Sequence, residues 1–144
     1  MAALDPALLP LKRYADFTGR STRTELVSFL FLIAIVSFTL VFAASVIHAA
    51  LGLVIRVLLA LALILPWWAV VVRRFHDQGR SGWWVLAPLL LGGGATLTPD
   101  NFSAWAVLQL LAAIAVWTLL LWKPDESENR YGPNPRLEES LTDR

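Results

Sequence analysis

The chain has 144 residues, 57% of them hydrophobic and only 16% charged, with a formal net charge of +1. A water-soluble domain carries about 25% charged residues to solvate its surface, so this composition excludes an ordinary soluble domain and points to lipid as the solvent. Cysteine is absent and there are two histidines, which excludes disulfides, thiol chemistry and cysteine-ligated metal, and leaves no expectation of a metal, a cofactor or a nucleic-acid partner.

Residues 1–25 read as a cytoplasmic interfacial segment. Leu11, Tyr14 and Phe17 form the apolar side of a short helix lying at the membrane surface, with Lys12 and Arg13 at headgroup level. Thr22 followed by Glu25 fits a capping box at the start of the next helix. Glu25 has a second available role, neutralising an arginine from another segment.

The first membrane span is predicted at about 26–48, where His48 is the only ionisable residue. About 20 residues cross the ~30 Å hydrocarbon core, and a cleaved signal peptide needs only ~7–15 apolar residues, so this run reads as a span. The second span covers about 53–72 and contains Arg56 and Pro66. The third, about 83–97, is short and carries Pro88 and Gly92-Gly93-Gly94, which weaken a helix. The fourth covers about 102–122. A charged tail, 123–144, follows, and its end "RLEESLTDR" is expected to be poorly ordered.

Charge placement sets the orientation. Lysines and arginines cluster before span one (Lys12, Arg13, Arg20, Arg23), between spans two and three (Arg73, Arg74, Arg80) and after span four (Lys123, Arg130, Arg136). The other two connections contain neither residue type. Positive charge favours the cytoplasm, so four spans with both termini cytoplasmic place every cluster on one side. Trp67, Trp68, Trp83, Trp84 and Trp122 then fall near the cytoplasmic interface and Trp105 near the outer one, as an aromatic belt requires. The expected fold is an all-α integral membrane four-helix bundle, a single membrane domain with a short N-terminal interfacial helix.

Three polar segments meet the cytoplasmic surface in this reading. "YADFTGRSTRTE" precedes span one, "RRFHDQGRSGWW" joins spans two and three, and "NRYGPNP" follows span four. Gly79 permits a tight turn, Ser81 is placed to cap a helix, and Arg73 and Arg74 complement the C-terminal dipole of span two. The G-x-S-x-G elbow of serine hydrolases is not met, because Trp83 stands at the last glycine position. A hydrogen-bonded His76–Asp77 pair is the simplest use of those two side chains.

These segments, in this order, resemble the bacterial membrane family called domain of unknown function 805. The residues that carry the resemblance are Phe17, Gly19, Arg20, Arg23 and Glu25, then Arg73, Arg74, His76, Asp77, Gly79, Ser81, Gly82 and Trp83. Asn129, Arg130, Tyr131, Gly132 and Pro135 complete it. The match covers about residues 14–135. Leu26 and Val27 depart from it, since aromatic residues commonly follow the glutamate in that family. The resemblance implies a small protein of the bacterial inner membrane and supplies no activity.

The functional expectation is a non-enzymatic membrane protein with no catalytic residue. Arg20, Arg23, Glu25, Arg73, Arg74, His76, Asp77, Arg80, Asn129, Arg130 and Tyr131 converge as a clasp between helix ends. The local excess of arginine over carboxylate there suits an anionic phospholipid headgroup or an acidic partner protein. Membrane lipids are the expected partners, with a homo-oligomer or another membrane protein as a further one. An oligomeric small-solute transporter or channel is the alternative, resting on Arg56 and Gln109 inside spans. A lipid-headgroup enzyme using His76 and Asp77 is the second alternative. Arg56 is expected to snorkel outward, towards Asp100 or Gln109.

Overall fold

The computed structural model describes residues 5–86 and 102–137. Among them the fold is all-α: α1 (Asp5–Lys12), α2 (Arg23–Ile47), α3 (Ala49–His76), a 3₁₀ helix (Gly82–Leu86) and α4 (Phe102–Leu121). At 1.5 Å per residue, the 25 residues of α2 and the 28 of α3 exceed the ~30 Å of a hydrocarbon core. The 20 residues of α4 match it. Of the predicted third span, 83–97, only the part to Leu86 is described, as a 3₁₀ helix; the rest lies outside the described residues.

These helices are apolar all round and still exposed. Phe38 is 70% and Ile47 77% accessible, and Phe31, Phe42, Leu58 and Leu61 are exposed on the same two helices. Water does not tolerate apolar surface on this scale on a monomer. Hydrocarbon does, and the protein is an integral membrane protein.

The described chain forms two compact units. The first holds the residues to Phe17 and Thr22–Val70, the second Thr18–Ser21 and everything from Val71. In the first unit α1 packs on α2, with Ala7, Pro10, Leu26 and Phe29 buried. The α2 N-terminus is capped as the sequence indicates, the Thr22 hydroxyl accepting the Glu25 N–H at 3.1 Å. Arg23 opens the helix at an exposed position, while Glu25 is 3% accessible.

A single residue turns α2 into α3. His48 takes an extended conformation, and its N–H donates to the Ala44 carbonyl at 3.0 Å. Its carbonyl accepts from Leu51 at 3.0 Å and Gly52 at 3.2 Å, and its ring Nδ1 accepts the Ala50 N–H at 3.2 Å. One histidine thus satisfies the end of one helix and the start of the next, leaving no polar loop in the turn. Immediately beyond it, Gly52 lies against Ser45, and this pair sets how closely α2 and α3 approach.

Pro66, buried within α3, creates a defect that the sequence reveals only in part. Proline has no N–H, so the carbonyl four residues earlier, on Ala62, loses its helical donor. In lipid such a group is costly to leave unpaired. The Tyr14 hydroxyl donates to that carbonyl. α1 itself ends at Lys12, so Tyr14 leaves the interfacial face predicted for it and serves α3 instead. Tyr14→Phe is expected to cost about 1 kcal/mol of stability. Pro66→Ala restores the backbone donor, so the same change in that background should cost nearly nothing. A double-mutant cycle by thermal unfolding in detergent measures the coupling; additive effects would refute the pairing.

Candidate functional site

The site is built in the second unit, around the C-terminal end of α3. Its last turns bury Arg73, Arg74 and Phe75, and the helix closes in a Schellman motif: Arg80 N–H donates to the Phe75 carbonyl and Gly79 N–H to His76, both at 3.0 Å. The motif needs a left-handed residue, and Gly79 supplies it with φ +68°. Asp77 therefore sits at a fixed helix end, fully buried.

Three arginines converge on the Asp77 carboxylate. Arg20 donates from Nε to Oδ1 at 3.0 Å, and Arg74 donates to Oδ2. Arg136 grips both oxygens, at 3.3 and 2.9 Å. A carboxylate has about four acceptor sites, and these contacts fill them. Arg20 and Arg74 are withdrawn from water almost completely, whereas the Arg136 side chain keeps 33% of its accessibility.

The cationic excess is met by carbonyl dipoles. Beyond Asp77 Oδ1, the Arg20 guanidinium reaches the carbonyls of Ser127 at 2.7 Å, Gly132 at 3.4 Å, Asp77 at 3.5 Å, and Asp125. All five of its N–H groups are thereby used. Arg74 donates to the carbonyls of Leu120 and Trp122, each at 2.6 Å, and Gln78 donates to that of Leu119. These are carbonyls at the end of α4, beyond the reach of its i+4 ladder; that of Leu119 also accepts the Trp122 N–H at 3.0 Å. Arg74 and Gln78 are caps delivered from another helix.

The segment after α4 is tied to the same centre. Asp125 N–H donates to the Asp77 carbonyl at 2.8 Å, and the Asn129 amide to that of His76 at 3.0 Å. The Asn129 side chain also accepts the Tyr131 N–H at 2.9 Å, closing a turn through Gly132, whose φ is +123°. Tyr131 stacks on the His76 ring at 3.8 Å, and the Arg130 guanidinium lies 4.7 Å from the Tyr131 ring centre. Hydrogen bonds from the Ser127 hydroxyl and backbone hold the Asp125 carboxyl below the usual carboxylate range, with Asn129 and Arg20 adding to the effect.

His76 and Asp77 do not form a pair with each other. His76 Nδ1 lies 3.2 Å from the Gly19 carbonyl, which can only accept, so Nδ1 carries the proton and Nε2 the lone pair of the neutral ring. A Cβ at Gly82 would stand 2.6 Å from Val72 Cγ1 and 3.4 Å from that Nε2, so glycine there allows the 3₁₀ segment to close over the ring. Ser81 caps this segment, its hydroxyl accepting the Trp83 N–H at 3.4 Å. The carboxylate that a histidine-based acid–base dyad would need is held by arginines instead.

Of the residues singled out from the sequence, Arg20, Arg73, Arg74, His76, Asp77, Arg80, Asn129, Arg130 and Tyr131 all belong to this second unit. Ser21 N–H donates to the Arg73 carbonyl at 3.2 Å, which ties the Gly19–Ser21 bend to α3. Arg23 and Glu25 belong to the first unit, at the start of α2. Arg56 is exposed there, and its predicted neighbour Asp100 lies outside the described residues. Arg136, the first residue of the end expected to be poorly ordered, is anchored on Asp77, and Asn134, buried, accepts its N–H at 3.1 Å; residues 138–144 lie outside the described residues. Gln78, Asp125 and Ser127 were also missed. Only Gly132 and the two prolines of "NRYGPNP" hinted at a fixed turn.

A helical membrane protein whose polar segments knot around one buried aspartate is thus defined by the fold and the site. The chain belongs to the family described as protein of unknown function (DUF805), whose model matches residues 14–133. Inner membrane protein YhaH of Escherichia coli (strain K12) is 32% identical over 142 residues, covering 94% of this chain and 99% of that protein. Inner membrane protein YhaI of the same strain is 32% identical over 130 residues, 88% of this chain and 92% of that one. Uncharacterized protein YiiR shares 33% identity over 78 residues, 49% of this chain and 53% of its own length. No solved structure matches the chain.

Proposed function

We propose that this is a non-enzymatic, multi-pass protein of the bacterial inner membrane, whose arginine clasp fixes helix ends at the cytoplasmic face. Beside the clasp, a cationic rim holds an anionic phospholipid headgroup. The observation that carries the reading is the saturation of Arg20. Its five donors are all engaged within the protein, and Asp77 is likewise filled, so the clasp itself is structural. Outward-facing cation is supplied at Gly79, where Arg130 donates to the Gly79 carbonyl at 3.4 Å and Arg80 follows in the chain. Trp83 and Trp84, 78% and 51% exposed, follow directly and suit the headgroup level.

Two arginines attract anionic lipid by about 1 kcal/mol each. Thermal unfolding in detergent should therefore show phosphatidylglycerol raising the midpoint of the parent protein, while phosphatidylcholine does not. The Arg80→Gln, Arg130→Gln double variant should bind about 30-fold more weakly at the rim and show a smaller shift. An equal shift in parent and variant would remove the rim from the proposal and leave the clasp.

The same reading fixes a topology. Lysine and arginine placement requires reporter fusions at Gly52, Gly79, Pro99 and Arg144 to alternate outside, inside, outside, inside. A C-terminal fusion reporting outside overturns the four-span arrangement.

A further inference from the structure

Away from the clasp, α2 and α3 enclose a cleft with a single charged wall. The helices touch at Ser45 and Gly52; one turn further along lie Val41 and Arg56, and another turn on, Ser37 and Ala60. Ser37 and Ala60 are too small to fill the space between the helices at that level. What remains is a cavity of about 210 Å³ lined by Ser37, Val41, Arg56, Leu59, Ala60 and Leu63.

Arg56 has no ion pair or hydrogen bond among the described residues. The sequence contains no acidic residue between Glu25 and Asp77, so neither α2 beyond its first turn nor α3 can neutralise it. A cation at this depth is costly without a partner. Arg56 stands about 10 Å along α3 from Ala49, at 1.5 Å per residue, and its long side chain reaches from there to the phosphate level. The cavity exceeds the ~150 Å³ that accommodates benzene in an apolar protein interior, yet is smaller than the ~300 Å³ of a drug-sized pocket. It suits the upper part of one acyl chain. Its surroundings are lipid-facing, since Leu53, Val57, Leu58 and Leu61 on α3 are all exposed.

We infer that this cleft is a binding site for an anionic phospholipid, whose phosphate pairs with Arg56 and whose acyl chain lies against Val41, Leu59 and Leu63. Ser37 adds a hydroxyl at the inner end. The site is at the His48 end of α3, whereas the rim of Arg80 and Arg130 follows its other end, so the two are separable by mutation.

Native mass spectrometry of the full-length protein in detergent, titrated with dioleoyl phosphatidylglycerol, dioleoyl phosphatidylcholine or oleate, tests the site. The parent should retain phosphatidylglycerol about five- to tenfold more tightly than phosphatidylcholine. Arg56→Gln should abolish that preference at this site, and Ala60→Leu, which fills the cleft and keeps the charge, should lower phosphatidylglycerol retention. Both effects should persist in an Arg80→Gln, Arg130→Gln background, whichever way the rim itself behaves. Circular dichroism establishes that each variant is folded; should Arg56→Gln not fold, Ala60→Leu alone decides. Retention unaffected by Ala60→Leu, a preference that survives Arg56→Gln, or tighter binding of oleate than of phosphatidylglycerol overturns the inference.

Discussion

Asp77→Asn is expected to destabilise the folded protein by about 3–5 kcal/mol, the cost of removing one partner from a buried ionic cluster. Asparagine keeps the size of the side chain and one acceptor oxygen. It replaces the other oxygen with an amide that points donors at guanidinium groups. Arg20 and Arg74 cannot retreat to water, because their remaining donors are committed to the carbonyls of Ser127, Leu120 and Trp122. Arg136 can retreat, having kept a third of its accessibility. Adding Arg136→Gln to Asp77→Asn should therefore recover little, since the loss comes from Arg20 and Arg74. Arg74→Lys should not be tolerated, since a single ammonium cannot span Asp77 and two helix-end carbonyls at once. Thermal unfolding in detergent reads all three variants. A loss under about 1 kcal/mol for Asp77→Asn would place the ion cluster among the weak pairs typical of exposed surfaces.

The helices were legible because the hydrophobic runs are long and almost free of charge, and lipid leaves the backbone few choices. Local chemistry was legible too: the Thr22 hydroxyl caps α2, and Gly79 ends α3 in the left-handed conformation. Partners across the chain were less so. Pro66 announces that the Ala62 carbonyl needs a donor, but nothing in the sequence names Tyr14 as its source. His76 and Asp77 are adjacent, which made a pair between them the simplest reading, yet the helix end turns one towards Gly19 and the other towards three arginines. Arg136 follows a proline-rich turn and precedes a charged stretch, so its composition reads as solvated tail. Its role depends on the turn from Asn129 to Asn134, which Asn129 ties to the His76 carbonyl and the Tyr131 N–H. Long-range pairing of charges leaves no periodic signal, and burial alone decides which arginines are structural.

Gly52→Ala should open the α2–α3 hairpin at a cost of about 1–3 kcal/mol, the range for overpacking a close contact. The added Cβ would stand 1.9 Å from Ser45 Oγ, 2.9 Å from its Cβ and 3.1 Å from its Cα. Rotation of the Ser45 side chain relieves only the first of these. The other two involve atoms fixed by the helix, so the backbones themselves must separate. Close approach of small residues is how membrane helices gain packing energy in the absence of a hydrophobic drive, and this contact sits one turn from the hinge at His48. The rescue should be graded. Ser45→Ala removes the oxygen and leaves the Cβ contact, so it recovers little; Ser45→Gly removes both and recovers most of the loss. Thermal unfolding of the four combinations measures the gradient. Equal rescue by alanine and glycine would mean that only the hydroxyl was in the way, and a Gly52→Ala protein as stable as the parent would show that the hairpin does not depend on this contact.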